Sequence, residues 1–201
     1  MHFSIPLSSQ TYSFYFGGMY LISIAIRYVS DKYLSKSSAL ILGYILMIIS
    51  QIFLAFSSSL YVQSNEIYTS YFFNLQTSIF FTGLVILAVG LSFTNIITPT
   101  IINSINDTDS KEEAFSIFYP IMNMGVLIGP ILTTFIVGSD DYYLYQLCFS
   151  LFAIILGIAL LIFILFKNKF LVDHDGNVME EQSHPEDVNA KKRGTEMFFM
   201  I

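Results

Sequence analysis

Charge is what this sequence has least of. Of 201 residues only 12% are Asp, Glu, Lys or Arg, while 54% are hydrophobic and 16% aromatic. A soluble domain carries about twice that charged fraction, so a surface that faces water on all sides is excluded. Cysteine is nearly absent as well. The single Cys148 rules out an intrachain disulfide and fits no metal-ligand spacing. Basic faces are missing in the same way: nine basic residues against fifteen acidic ones give a net charge of −6, and nucleic-acid binding needs a basic patch. There is no nucleophile–base pair, phosphate loop or cluster of metal ligands, so the residues point to no enzyme, no metal and no cofactor.

What is present is length without charge. Apolar runs cover 11–28, 38–62, 70–103, 114–138 and 142–166. A bilayer core is crossed by about 20 apolar residues in a helix, so each run predicts one span. None shows the period-two alternation of a membrane barrel. The expected fold class is all-α: a polytopic integral membrane protein with five transmembrane helices in contact with the lipid bilayer. Three segments follow. Residues 1–10 form a short extracytoplasmic stretch, 11–170 the helical bundle, and 171–201 a disordered cytoplasmic tail. The tail, DHDGNVMEEQSHPEDVNAKKRGTE and its flanks, cannot bury enough apolar area to offset its ordering entropy. His174 and His184 sit there among acids without compact metal spacing. MHFSIPLSSQ lacks the basic start of a cleavable signal peptide.

The basic residues set the orientation. Arg27, Lys32 and Lys36 flank the first connection, Lys111 lies in the third, and Lys167, Lys169, Lys191, Lys192 and Arg193 follow the last span. All therefore fall on one side, which the positive-inside rule assigns to the cytoplasm. The N-terminus then faces outward, which predicts a further, inward-starting span upstream. In a cell this arrangement fits the plasma or inner membrane.

Polar residues inside the spans repeat at helical spacing. Ser116, Tyr119 and Asn123 share one face of the fourth span, and Ser13, Gly17, Tyr20, Ser23 and Arg27 trace a stripe on the first. Ala88, Ser92, Asn95 and Pro99 do the same on the third. Counted from the expected cytoplasmic ends at 1.5 Å per residue, Tyr20, Asn95 and Asn123 all lie ~12–13 Å deep. Matching depth near the midplane is where transporters hold substrate; hydrogen bonding between neighbouring helices is the other use for such residues. Gly125 and Gly129 form a GxxxG pattern on a different face, which predicts close helix packing. Asp31, at the end of the first span, is placed to accept backbone N–H groups and to pair with Lys32 or Arg27, latching one conformation.

AFSIFYPIMNMGVLIGPIL resembles the FYxxxNxG signature of the proton-dependent oligopeptide transporters, a branch of the major facilitator superfamily. Phe118, Tyr119, Asn123 and Gly125 match it. RYVSDKYLSK is similar to the superfamily's short loop between its second and third helices, with Asp31 and Lys32 as its acid–base pair, and AVGLSFTNIITPT resembles the branch's fourth helix. The resemblance covers residues 11–170 and implies that the five spans are helices two to six.

That resemblance implies proton-coupled uptake of di- and tripeptides, with small peptides and protons as partners. Tyr20, Asn95, Tyr119 and Asn123 would bind substrate, and Asp31 and Lys32 would gate. It also implies a missing transporter half and a missing first helix with a Glu-x-x-Glu-Arg motif. Departures are plain. Asn95 stands where the branch has a lysine, glycines expected at Arg27, Ser30 and Ser35 are absent, and no basic residue stands near Ser38. A carrier for another small solute and a truncated, non-transporting membrane protein are the alternatives.

Overall fold

The computed structural model describes residues 4–60, 74–103, 108–138 and 142–170, and all regular structure among them is helical. The helices are α1 (Ile5–Tyr33), α2 (Lys36–Ser59), α3 (Leu75–Asn103), α4 (Thr108–Ile136) and α5 (Tyr142–Phe170). The expected tail, its two histidines, and the connection 61–73 lie outside the described residues.

Each expected span is a helix, and α1, α4 and α5 each run past at least one end of the apolar run. α1 begins at Ile5, not residue 11. Pro6 occupies its first turn, where a missing N–H is no loss. The polar residues that follow do not stop the helix, because their hydroxyls turn back on it: Thr11 Oγ1 donates to the Leu7 carbonyl and Ser13 Oγ to that of Ser9, each at 2.9 Å. Residues 5–10 are therefore helix, continuous with the first span. Among the described residues four helices are long and apolar enough to cross a membrane: α2, α3, α4 from Asp109, and α5 between Tyr143 and Lys167. α1 has the length, but its serines, glycines and Arg27 dilute its apolar character.

The α1–α2 corner is only Leu34 and Ser35. Ser35 caps α2, its hydroxyl oxygen accepting the Ser38 N–H at 3.2 Å. Asp31 lies in the last turn of α1, and its side chain lies outside the described residues.

α2 and α3 form the centre, and glycine brings them together. A Cβ on Gly90 would stand 2.8 Å from Met47 Cγ and 2.9 Å from both the Gly43 carbonyl oxygen and the Met47 nitrogen. On Gly43 it would meet Phe93 Cβ at 2.9 Å and the Gly90 carbonyl oxygen at 3.1 Å. The backbones touch where both side chains are missing. Further along, Gly83 admits Leu54 and Phe53. At the outer end Ser57 Oγ donates to the Gln76 carbonyl at 3.0 Å and Gln76 Nε2 to the Ser57 carbonyl at 3.3 Å. Asn74 and Thr77 cap α3 reciprocally: Asn74 Oδ1 accepts the Thr77 N–H and Thr77 Oγ1 that of Asn74, at 2.8 and 3.0 Å. Ala39 and Leu40 of α2 meet Phe93 and Ile97 of α3 and Ile26 of α1 in the buried core, with Phe163 of α5 against it.

α1 packs on α3 around a hydroxyl node. Ser23 Oγ donates to Ser92 Oγ at 2.9 Å, and the fully buried Ser92 hydroxyl reaches the carbonyls of Ala88 at 2.7 Å and Met19 at 3.2 Å. These members of the two predicted stripes serve as contacts between helices.

The packing expected of Gly125 and Gly129 is not found. Nothing lies within 4 Å of a Cβ built on either. α4 rests only lightly on α3 and α5, and residues 119–128 are all exposed. The close approach written as GxxxG has no partner helix among the described residues; the one that forms uses isolated glycines on α2 and α3.

Two measurements check this packing. Gly90→Ala is expected to destabilise the chain by ~1–3 kcal/mol through overpacking in detergent unfolding, while Gly125→Ala leaves the midpoint unchanged or slightly raised. Ser92→Ala is expected to lose about 0.6–1.7 kcal/mol, and a double-mutant cycle with Ser23→Ala should show non-additivity.

Candidate functional site

Most hydroxyls on the three predicted polar stripes are already used. Ser13 bonds within α1, Ser23 and Ser92 bond each other, and Ser116 Oγ donates to the Glu113 carbonyl at 2.7 Å. Tyr20, Asn95, Tyr119 and Asn123 remain. Tyr20 is 67% exposed and Tyr119 50%, and both asparagines are exposed. Among the described residues no hydrogen bond reaches either amide side chain. In hydrocarbon an unpaired amide costs several kcal/mol, so at this depth these groups call for water, a ligand or another helix.

Local structure prepares two of them. Pro99 lies inside α3 and removes the N–H that would bond the Asn95 carbonyl. Asn95 thus presents a free backbone acceptor beside its amide. On α4, Tyr119 and Asn123 stand one turn apart on the same face. The Tyr119 ring stacks on Phe115 at 5.8 Å between centroids and meets Phe118 edge-on at 5.4 Å, which fixes the direction of its hydroxyl. Pro120 likewise frees the Ser116 carbonyl.

The depths do not all match, because the helices are longer than expected. α1 ends at Tyr33 instead of Tyr28, so Tyr20 lies thirteen residues, ~20 Å, from its C-terminal end. α4 starts at Thr108, which puts Asn123 fifteen residues, ~22 Å, from that end. Asn95 remains eight residues, ~12 Å, from the end of α3. The Ser23–Ser92 contact gives the same answer independently: at that register Tyr20 is level with Val89, six residues above Asn95. Tyr20 and Asn123 share the mid-height of their helices; Asn95 sits lower.

Nor does the chain enclose these side chains. A cavity of about 340 Å³ lies between α1 and α3, but it is walled by Phe14, Tyr15, Ile22, Leu84 and other apolar groups. Gly18 and Ile22 face it, and Tyr20, two residues from each, lies on the opposite face of α1. The four candidates line an open surface.

At the C-terminal end of α1 Lys32 is held by aromatic rings, its Nζ 5.7 Å from the Tyr28 centroid and 5.1 Å from that of Tyr33. Hydrogen bonding to Tyr33, then the nearby phenols, raises its pKa above the ordinary lysine value. Among the described residues no group of three His, Cys, Asp or Glu side chains could hold a metal.

Sequence reasoning missed the glycines of the α2–α3 crossing. Their signal was Gly43, the one glycine of the second apolar run, and Gly90, one of two in the third, at heights that match once the antiparallel pair is formed.

Known proteins supply the wider context. The family model of the Major Facilitator Superfamily matches residues 1–194. Among solved structures, a mutant of the peptide transporter POT in complex with alafosfalin has a TM-score of 0.65 and 20% identity, over 94% of this chain and 34% of that one. The same mutant with sulfate gives 0.62 and 21%, and POT with sulfate 0.60 and 21%, with the same coverage. The chain thus spans about a third of the length of these structures. No curated protein matches it. Five helices, four of them long and apolar enough to cross a membrane, and a family match across nearly the whole sequence lead to one conclusion: the chain belongs to the major facilitator superfamily of membrane transporters.

Proposed function

We propose that this chain forms most of one half of a secondary active transporter of the proton-dependent oligopeptide branch, carrying di- and tripeptides across the cell membrane with its C-terminal tail in the cytoplasm. The observation that carries the reading is on α4. Tyr119 and Asn123, two residues of the FYxxxNxG signature, lie on one uncovered face at mid-height, and the amide has no partner among the described residues. The resemblance of the fold to peptide transporter structures, one of them holding alafosfalin, supports it.

In this reading Tyr20 and Asn123 hydrogen-bond peptide backbone from two helices at one level, and Tyr119 adds a phenol one turn away. Asn95, lower on α3, offers an amide and a free carbonyl toward the cytoplasmic exit. Asp31 and Lys32 belong to the gating corner between α1 and α2. Nothing reacts covalently; selectivity comes from leaving buried polar groups unpaired when the wrong solute enters. Proton coupling falls to residues outside the described spans, because Tyr20, Asn95, Tyr119 and Asn123 have no carboxylate, imidazole or amine beside them.

One observation favours a second reading. An amide at Asn95 cannot attract a peptide carboxylate as an ammonium does, which suits a neutral solute of another class.

Liposomes containing only this chain are expected to show no proton-driven uptake of a labelled dipeptide; uptake above protein-free controls contradicts the assignment of coupling to other parts. In a longer protein containing this chain, Asn123→Ala should weaken dipeptide binding about tenfold, the scale of one hydrogen bond lost with its partner left unpaired. Unchanged affinity would return Asn123 to helix packing, and failure of dipeptides to compete for transport would favour the other solute.

A further inference from the structure

The corner between α1 and α2 gathers more positive charge than the chain around it compensates. Arg27, Lys32 and Lys36 fall within ten residues against one acid, Asp31, and the three basic side chains are exposed. A turn of only Leu34 and Ser35 keeps Lys32 and Lys36 close. Lys36 is the first residue of α2, and that helix has no acid in its first turn. The partial positive charge of a helix N-terminus is ordinarily met by an acid; here it meets another cation. Lys32 does not relieve the excess. It sits between the rings of Tyr28 and Tyr33, which hold the ammonium in place and leave its charge intact.

Height decides what can answer that charge. α1 has 29 residues, about 43 Å of helix, against a hydrocarbon core of ~30 Å and 40–45 Å with headgroups. Its last turn therefore lies in the headgroup layer. Tyrosines at that level are interfacial anchors, and the anions that populate it on the cytoplasmic side are lipid phosphates.

We infer that Lys32, oriented by Tyr28 and Tyr33, together with Lys36 and Arg27 forms a binding site for the headgroup of an anionic phospholipid of the cytoplasmic leaflet. The lipid phosphodiester accepts hydrogen bonds from Lys32 and Lys36 and balances the N-terminus of α2. Because this corner joins α1 to the central α2–α3 pair, a bound headgroup ties the more polar α1 to the membrane surface.

Native mass spectrometry of the purified chain from neutral detergent tests this, with phosphatidylglycerol, phosphatidylcholine of the same acyl chains, and inorganic phosphate as probes. Phosphatidylglycerol should be retained in preference to phosphatidylcholine. Lys32→Gln should cut its retention about fivefold, the effect of one lysine near a charged leaflet, while Lys111→Gln, equal in charge and on the same side, should not. Inorganic phosphate at the same concentration should not displace the lipid. Equal retention by Lys32→Gln, an equal loss in Lys111→Gln, or displacement by inorganic phosphate overturns the proposal. Lys36→Gln, read by the same criteria, serves if Lys32→Gln cannot be purified folded.

Discussion

The backbone contact between Gly43 and Gly90 is the constraint on which the rest of this architecture rests. Inside lipid, burying apolar surface gives helices little reason to associate, since the tails are as apolar as leucine. Close packing has to supply the attraction, and it is strongest where two backbones meet without side chains between them. That condition is met in this chain between α2 and α3, and the Ser57–Gln76 clasp closes the same pair at its outer end. The other helices hang from this pair: α1 on α3 through the Ser23–Ser92 node, α5 along α2, and α4 lightly at the edge. The ordering has a functional side. The most firmly packed helices carry few candidate residues, and the loosely held α1 and α4 carry three of the four.

The sequence was most legible where the physics is local. Long runs without charge are spans, so the five helices and their order followed from composition. Helix ends were less legible. Ser8, Ser9 and Gln10 read as a polar prelude, but serine and threonine hydroxyls can bond to the preceding turn, and the helix runs through them. At its other end α1 runs on past Tyr28 to Tyr33, and that extension misplaced Tyr20 relative to Asn95. Packing was least legible. GxxxG states that a helix could approach closely, not that a partner is present, whereas Gly43 and Gly90 belong to no GxxxG pair. Their meaning lies in a pairing register that a single strip of sequence does not contain.

Asn95 brings these threads to one point. A lysine at its depth would cost ~2.5–3.5 kcal/mol to insert, a burden a membrane helix bears only when the charge is used. An asparagine is far easier to insert, and with Pro99 freeing its carbonyl it offers donors and acceptors in both directions. What it gives up is charge. No proton can be taken up or released there, and no carboxylate can be drawn in by an ammonium. If the chain works within a peptide carrier, the electrostatic part of recognition and coupling has been moved off this helix, leaving a wall that reads shape and hydrogen bonding. Tyr20 and Asn123 at mid-height, neutral and uncovered, have the same character. On the proposed reading, the polar surface of this chain orients a solute, and any charge that drives the solute through stands opposite it.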